Sequence, residues 1–211
     1  MFLSKLTLDP RQMQVRRDIG DAYEMHRTLA RAFVSDCESP PVKFLWRVET
    51  DFSASSAPAV LIQSASPANW APIEALPGYL QTLQANKQVD LEAFVRVGER
   101  YRFRLRANPT VTRAGKRLGL VKQTEQLAWI ERQADRAGLG LLSCVRTGSD
   151  RINVRQDRTG RLISVHAASF EGVINIIDSN AVRRALIEGI GHGKAFGLGL
   201  LSLARLSPDQ R

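Results

Sequence analysis

The order of strand-like and helix-like segments is the feature of this sequence that most constrains its fold. Residues 2–8 alternate apolar and polar side chains, as a half-buried strand does. Asp21 followed by Glu24 is typical of a helix N-terminus, and apolar residues recur after it at helical spacing to about residue 34. The predicted elements of the first half are strands at 2–8, 43–49, 59–63 and 91–97 and helices at 22–34 and 70–83. Their order is βαββαβ.

The same order returns after a turn at Val97 and Gly98. Residues 101–107 alternate cleanly between two faces, and Thr124 is placed to cap a helix that ends at Gly138. The predicted elements of the second half are strands at 101–107, 139–145, 169–177 and 198–206, helices at 126–137 and 180–188, and a hairpin at 152–165. The sequence therefore predicts an α+β fold of tandem ferredoxin-like (RRM-like) domains, residues 1–97 and 98–211, with a basic β-hairpin in the second domain.

The balance of charges points to a polyanionic partner. Thirty Lys and Arg residues against 21 Asp and Glu residues give a formal net charge of +9, and 44% hydrophobic residues are enough for a packed core. A basic surplus of this kind is typical of nucleic-acid-binding domains. Contact with a ribosome-scale particle or a membrane surface would produce a similar surplus, so charge alone leaves these partners open.

The cysteines and the apolar segments indicate the compartment. Cys37 and Cys144 are far apart, match no metal-ligand spacing and are typical of a reduced cytoplasmic setting. Residues 1–8 lack the apolar core of a signal peptide. The uncharged stretch 52–73 is too rich in Ser, Pro, Asn and Gln to cross a bilayer. We expect a soluble, cytoplasmic protein without a membrane partner.

A glycine-rich stretch, residues 189–199, is the densest motif in the chain. Glycines let the backbone take positive φ and approach a ligand closely, and successive N–H groups can form a concave anion site. A Walker A loop is excluded because Ala195, not Ser or Thr, follows Lys194. The spacing also differs from the dinucleotide-binding fingerprint. The remaining interpretations are a phosphate-contacting loop and a plain helix-to-strand turn.

Few residues are available for acid–base chemistry. The sequence has no carboxylate cluster for a two-metal site, no zinc spacing and no nucleophile elbow. Of the three histidines, His26 lies off the apolar stripe of its predicted helix, where Tyr23, Arg27 and Arg31 are its surface neighbours. An exposed histidine on a solvated basic face is the alternative interpretation. His166 lies in an apolar strand and is expected to be structural, whereas His192 either contacts a phosphate or faces water.

Arginines recur at strand spacing in the second half. Arg102, Arg104 and Arg106 share one face of a predicted strand, and four more arginines follow the predicted hairpin, at positions Arg151, Arg155, Arg158 and Arg161. A solvated sheet face, or an edge strand kept soluble by charge, would explain them without a ligand. Together with the net charge, they favour contacts to a nucleic-acid backbone.

Metal-free RNA cleavage would suit these residues. In that reaction the ribose 2′-OH attacks the adjacent phosphorus and the 5′-oxygen leaves. One group of the protein removes the proton of the 2′-OH, and another gives a proton to the leaving oxygen. Cations offset the negative charge that grows on the phosphate. Histidine can serve either proton role near neutral pH. The Tyr23 hydroxyl would orient the reacting groups, and arginine would act as a fixed cation.

Several motifs resemble a known family. Residues 189–199 scan as Gly-hydrophobic-Gly, five residues including a Lys, then Gly-hydrophobic-Gly, which resembles the C-terminal signature of the CRISPR repeat-processing endoribonucleases. Over essentially its whole length the chain resembles the CasE type, the processing subunit of the Cascade complex. The matching segments are residues 189–204 and the runs FRLRANP (103–109), AWI (128–130), FEG (170–172) and YEMHRTL (23–29).

This resemblance implies a cofactor- and metal-independent endoribonuclease. It would cut precursor CRISPR RNA within the repeat, 3′ of a stem-loop, leave a 2′,3′-cyclic phosphate and a 5′-OH, and retain its product inside Cascade. The catalytic histidine of the family corresponds to His26, assisted by Tyr23 and by Arg31, where some relatives have lysine. The residues expected to bind RNA are Arg27, Arg102, Arg104, Lys116, Arg155, Arg158, Arg161 and Lys194. The alternatives are a non-catalytic RNA-hairpin-binding subunit and a phosphate-binding metabolic enzyme.

Overall fold

The chain divides into two compact units. A computed structural model describes residues 1–34, 42–49, 57–155 and 162–206. The first unit comprises Met1–Val89, Asn153–Ile163 and Ala195–Gly197, and the second comprises Asp90–Ile152, Ser164–Lys194 and Leu198–Arg211. The sequence predicted a domain limit at residues 97 and 98, and the segment between that limit and Asp90 holds a single helical turn of the second unit.

The first unit contains a four-stranded antiparallel sheet. Its strands are β1 (Phe2–Leu8), β2 (Phe44–Glu49), β3 (Ala59–Ser64) and β4 (Leu80–Gln88), in the spatial order β2-β3-β1-β4. This is the order of a ferredoxin-like βαββαβ unit. The alternation predicted for β1 is confirmed, because Leu6 and Leu8 are buried on one face while Lys5 is exposed.

In the part of this unit that the structure describes, three helices accompany the sheet. They are α1 (Met13–Gly20), α2 (Ala22–Ala30), which continues as a 3₁₀ turn at Arg31–Phe33, and α3 (Ala71–Glu74). The helix predicted from 22 to 34 therefore ends as an α-helix at Ala30. The apolar face of α2 packs into the core through Met25 and Leu29, which are fully buried with strand residues of the sheet. Burial of this face holds α2 on the sheet.

Two predictions for the first half are wrong. The segment 70–83, expected to be helical, forms only the turn α3 before Pro77 and Gly78, and then becomes β4. Strand β4 pairs with β1 through two register shifts, so its side chains lose the regular alternation by which a strand is recognised in sequence. The segment 91–97, expected to be a strand, contains the helical turn α4 (Leu91–Phe94), because the Asp90 carboxylate accepts the N–H groups of Glu92 and Ala93.

The second unit repeats the strand order of the first. Its elements after α4 are β5 (Arg100–Ala107), β6 (Thr110–Arg113), β7 (Lys116–Gly119), α5 (Gln123–Arg136), β8 (Leu139–Arg155), β9 (Leu162–Ile176), α6 (Ser179–Glu188) and β10 (Leu201–Arg205). The sheet order β10-β5-β9-β8 is again ferredoxin-like. The predicted tandem ferredoxin-like fold is thus confirmed. Trp129 of α5 stacks on Phe170 of β9, with ring centroids 6.2 Å apart, in the core of this unit.

The segment 110–119, in which no strand was predicted, is not a loop. It contains the hairpin β6–β7, which turns at Ala114 and Gly115, both with positive φ. Positive φ at both central residues is the requirement of a type I′ turn, which matches the twist of the flanking strands. Strands β8 and β9 are longer than predicted, and the residues between them, in the middle of the hairpin predicted at 152–165, lie outside the described residues.

In the described part of the chain, no helix is both long and apolar enough to cross a membrane.

Candidate active site and RNA-binding residues

Helix α2 presents the residues predicted to be catalytic. The Asp21 carboxylate accepts the N–H of Tyr23 over 2.8 Å, which confirms the predicted N-cap and fixes where the helix begins. Tyr23 and His26 are three residues apart and lie on one side of this helix. Arg31 follows α2 in the 3₁₀ turn and is exposed. The three predicted catalytic residues thus belong to one continuous helical segment.

The imidazole of His26 is held by stacking. Its ring lies 5.0 Å from the ring of Phe44, with 15° between the planes, and Phe44 in turn stacks on Phe33 at 4.3 Å. The buried Nδ1 of His26 has no hydrogen-bond partner among the described residues. Burial lowers the pKa of His26 below its ordinary value of 6.5. The ring is therefore neutral at neutral pH and able to accept a proton.

Charged side chains surround the exposed side of α2. Arg27 donates to Glu24 over 2.9 Å, and Arg17 of α1 lies 3.3 Å from the other carboxylate oxygen of Glu24. Arg27 and Arg17 are each about half exposed (53%), so these ion pairs are accessible to competing anions. A phosphate group that reaches α2 can therefore replace the Glu24 carboxylate as the partner of these two arginines.

A buried carboxylate that was not predicted from the sequence lies beneath α2. Asp18 of α1 accepts hydrogen bonds from Thr28 Oγ1 at 2.7 Å and Tyr79 Oη at 2.8 Å, and Arg17 donates to its other oxygen at 2.9 Å. Burial and the Asp18 charge raise the pKa of Tyr79 far above its usual range, so its hydroxyl remains a donor. This Asp18 network joins α1, α2 and the segment before β4. No sequence signal marked it, because α1 itself was not predicted.

The other residues predicted to bind RNA lie on several elements of the chain. Arg102 is exposed on β5, whereas Arg104 of the same strand lies 3.0 Å from Glu171. Lys116 is exposed at the start of β7, and Lys194 begins the 3₁₀ turn Lys194–Phe196. The other three predicted residues belong to the hairpin: Arg155 is the last residue of β8, and Arg158 and Arg161 lie outside the described residues.

The glycine-rich stretch forms a turn that closes on itself. The N–H of Ile190 donates to the carbonyl of Gly199 over 2.8 Å, and the N–H of Gly199 donates to Arg106 over 2.7 Å. Gly191 and Gly193 have positive φ, which only glycine adopts readily. Both expected features of the stretch, a helix-to-strand turn and positive φ, are present in the structure.

No group of three or more His, Cys, Asp or Glu side chains that could hold a metal ion occurs within the described ranges.

Comparison with known proteins identifies the family. A family model described as "CRISPR associated protein" matches residues 1–205. The chain is 35% identical to the CRISPR-associated endoribonuclease Cse3 of Thermus thermophilus, with 97% of this chain and 100% of the relative covered. The chain belongs to this family of CRISPR-associated proteins. A second member, the Cascade subunit CasE of Escherichia coli, is 30% identical over 98% of this chain and 100% of its own length.

A solved structure of the same CRISPR-associated family has the same fold. Thermus thermophilus Cse3, bound to an RNA that represents a pre-cleavage complex, matches with a TM-score of 0.86 and 36% identity over 96% of this chain and 98% of that chain. The predicted family resemblance is confirmed by these matches.

Proposed function

We propose that this protein is an endoribonuclease that cleaves precursor CRISPR RNA within the repeat, 3′ of a stem-loop. The observation that carries the proposal is the neutral, stacked imidazole of His26 on α2, in a chain that matches the endoribonuclease Cse3 over its whole length. The basic surplus of the chain supports a nucleic-acid substrate. The pre-cleavage RNA complex of Cse3 supports the same substrate class.

His26 has the properties required for proton transfer in this cleavage. The 2′-oxygen loses its proton and forms a bond to the adjacent phosphorus, while the bond from phosphorus to the 5′-oxygen breaks and that oxygen gains a proton. The products are a 2′,3′-cyclic phosphate and a 5′-OH. His26 serves as general acid–base, Tyr23 orients the reacting groups, and the Arg31 guanidinium offsets the negative charge on the phosphate. This set of roles needs no metal ion.

In this proposal, basic residues of both predicted domains bind the RNA substrate. The predicted N-terminal domain, residues 1–97, contributes the catalytic segment and Arg27, and the predicted C-terminal domain, residues 98–211, contributes its basic hairpin and glycine-rich loop. The residues of the C-terminal domain that bind RNA are Arg102, Arg104, Lys116, Arg155, Arg158, Arg161 and Lys194. In this proposal the protein works in the cytoplasm and keeps the mature RNA. It also joins other Cascade subunits, as the name of the Escherichia coli relative suggests.

Substitution of His26 tests the catalytic assignment. We expect His26→Ala to abolish detectable cleavage of the cognate repeat hairpin, because general acid–base catalysis contributes about 10²–10⁴-fold. RNA affinity, measured by gel shift with the same hairpin, should stay near that of the wild type and serves as the internal control. A variant that cuts at the wild-type rate would exclude His26 as the catalytic histidine.

The chemistry of the substrate tests the mechanism. Cleavage should continue in EDTA and stop when the scissile 2′-OH is replaced by hydrogen, because that oxygen is the nucleophile. Dependence on Mg²⁺, or cleavage of the deoxy substrate, contradicts this mechanism. A wild-type protein that binds the hairpin without cutting it would identify the non-catalytic RNA-binding subunit instead.

A further inference from the structure

The second unit contains an open cavity with arginines along its walls. The cavity has a volume of about 340 Å³ and lies among strands β6 and β7, helix α5 and the glycine-rich loop. We call it the basic groove and define it by Arg117, Arg132, Arg136 and His192, which line it together with Trp129 and Gly191. The three arginines were not among the residues predicted to bind RNA, and His192 was predicted either to contact a phosphate or to face water.

Helix α5 directs one face into the basic groove. Trp129, Arg132, Gln133 and Arg136 are spaced i, i+3, i+4 and i+7, so they follow one side of the helix. Trp129 is buried at the base of this face, and the two arginines are exposed. This spacing is a sequence signal that could have revealed the groove.

The arginines of the basic groove lack carboxylate partners within the described residues. Arg104, Arg106 and Arg183 of the same unit each lie within 3.0 Å of a Glu or Asp oxygen. No described ion pair includes Arg117, Arg132 or Arg136, and no Asp or Glu is among the residues that line the cavity. The guanidinium groups of the groove are therefore available to an anion.

The glycine-rich loop supplies the third wall. A Cβ at Gly191 would lie 3.1 Å from the Trp129 ring, so a glycine lets the loop approach α5 closely, and its φ of +80° also favours glycine. His192 forms a β-bridge with Asn108, the residue that follows β5. Burial and the positive charges of Arg117 and Lys194 lower the pKa of His192. Arg117 and Lys194 thus place positive charge beside this loop.

We propose that the basic groove binds backbone phosphates of the RNA, as a contact site separate from the catalytic segment. Three guanidinium groups without opposing carboxylates match the charge and the planar hydrogen-bonding geometry of phosphodiesters. The threonines of β6 and the exposed residues of the loop add donors of the kind that position a nucleic-acid backbone without reading its bases. The proposal rests on RNA being the substrate of this protein.

The test measures RNA affinity as a function of salt. The probe is the cognate repeat hairpin with a 2′-deoxy residue at the scissile position, so that binding is measured without cleavage. We expect the Arg132→Gln/Arg136→Gln double variant to bind about tenfold or more weakly and to reduce the slope of log affinity against log salt by about two, since each phosphate contact accounts for about one unit.

The matched control is Arg96→Gln/Arg184→Gln. Both residues are exposed in the second unit and lie outside the groove, and the double variant removes the same charge. An equal loss of affinity and slope in both double variants would mean that only net charge matters, and would overturn the proposal. Wild-type RNA affinity in the groove variant would also overturn the proposal. This holds even if that variant no longer binds an acidic protein partner.

Failure of the proposed function gives a different result. If the wild-type protein binds the hairpin but does not cut it, the catalytic assignment fails while the groove variant still shows the reduced salt slope. If the wild-type protein does not bind the hairpin, both proposals are wrong.

Discussion

At the scale of single residues, His26 differs from an ordinary surface histidine in how it is held. Stacking on the Phe44 ring fixes the plane of the imidazole, and no described group forms a hydrogen bond with its buried Nδ1. A general acid–base must present its nitrogen in one orientation, and stacking provides this without adding a charge that would shift the ring toward the protonated form.

The lowered pKa of His26 predicts how stability depends on pH. The folded protein holds this imidazole with a pKa below 6.5, so below that pH the unfolded chain binds more protons than the folded chain. The free energy of unfolding should therefore fall as the pH drops from about 7 to about 5. We expect His26→Gln to have a shallower dependence in urea unfolding measured across this range.

His192→Gln is the matched comparison for that experiment. The pKa of His192 is also lowered, but its side chain is more exposed, so its removal should change the pH dependence less. Superimposable profiles for wild type and His26→Gln would contradict the burial of His26.

Some residues around His26 could be selected from the sequence, and others could not. Tyr23, His26 and Arg31 could be selected because helical periodicity separates surface positions from the apolar stripe, and the N-cap at Asp21 set the phase. Asp18 and Phe44 could not be assigned a role, because their contacts join segments that are distant in sequence. Periodicity shows which face of an element is buried, but it does not show which buried groups meet.

At the scale of elements, the Asp18 network anchors α2. A carboxylate with a fully buried side chain is costly unless it is hydrogen-bonded, and here donors from α1, α2 and the segment before β4 satisfy it. Thr28 lies two residues after His26 on the same helix. We therefore expect the position of the proposed catalytic imidazole to depend on the hydrogen bonds of Asp18.

Removal of one donor tests this dependence. Tyr79→Phe leaves the ring in place and takes one hydrogen bond from a buried carboxylate, which should cost about 1.5–3 kcal/mol of unfolding free energy. Because α2 loses part of its anchor, we also expect a lower cleavage rate at saturating RNA with little change in RNA affinity. Both are measured at a temperature at which the variant is folded.

Tyr101→Phe is the control for Tyr79→Phe. Tyr101 is buried in the second unit, and its hydroxyl donates to the carbonyl of Phe94 in the same unit. This variant should lose stability and keep the wild-type cleavage rate. Equal cleavage by both variants would show that the Asp18 network stabilises the fold without positioning His26.

Elements were predictable where the pattern was local. Strands β1 and β5 alternate regularly, β3 is a short apolar run, and the Asp178 side chain caps α6, so their positions agree with the structure to within a few residues. Helix α5 also lies close to its predicted position, but it begins at Gln123 and its N-cap is Lys122 rather than the predicted Thr124. The two wrong element predictions, at β4 and at α4, each have an identifiable cause. Strand β4 is irregular because it is bulged against β1, and α4 is a single turn fixed by the Asp90 side chain. In both places tertiary pairing or one cap outweighs propensity.

At the scale of the whole molecule, two units with the same strand order have different surface chemistry. The candidate catalytic segment belongs to the first unit, and the basic groove belongs to the second. Cleavage 3′ of a stem-loop would break one phosphodiester bond and leave the phosphates of the stem unchanged. The contacts that hold the substrate should therefore also hold the product.

This predicts that the protein is a single-turnover enzyme at low salt. With the cognate repeat hairpin in about tenfold excess, product should rise in a burst and stop near one equivalent per protein, because release of the stem is far slower than cleavage. Higher salt weakens phosphate contacts and should raise the plateau. The Arg132→Gln/Arg136→Gln variant should exceed one equivalent at lower salt than the wild type does, whereas Arg96→Gln/Arg184→Gln should not. Continuous turnover by the wild-type protein at low salt would show that the product is not retained by these contacts.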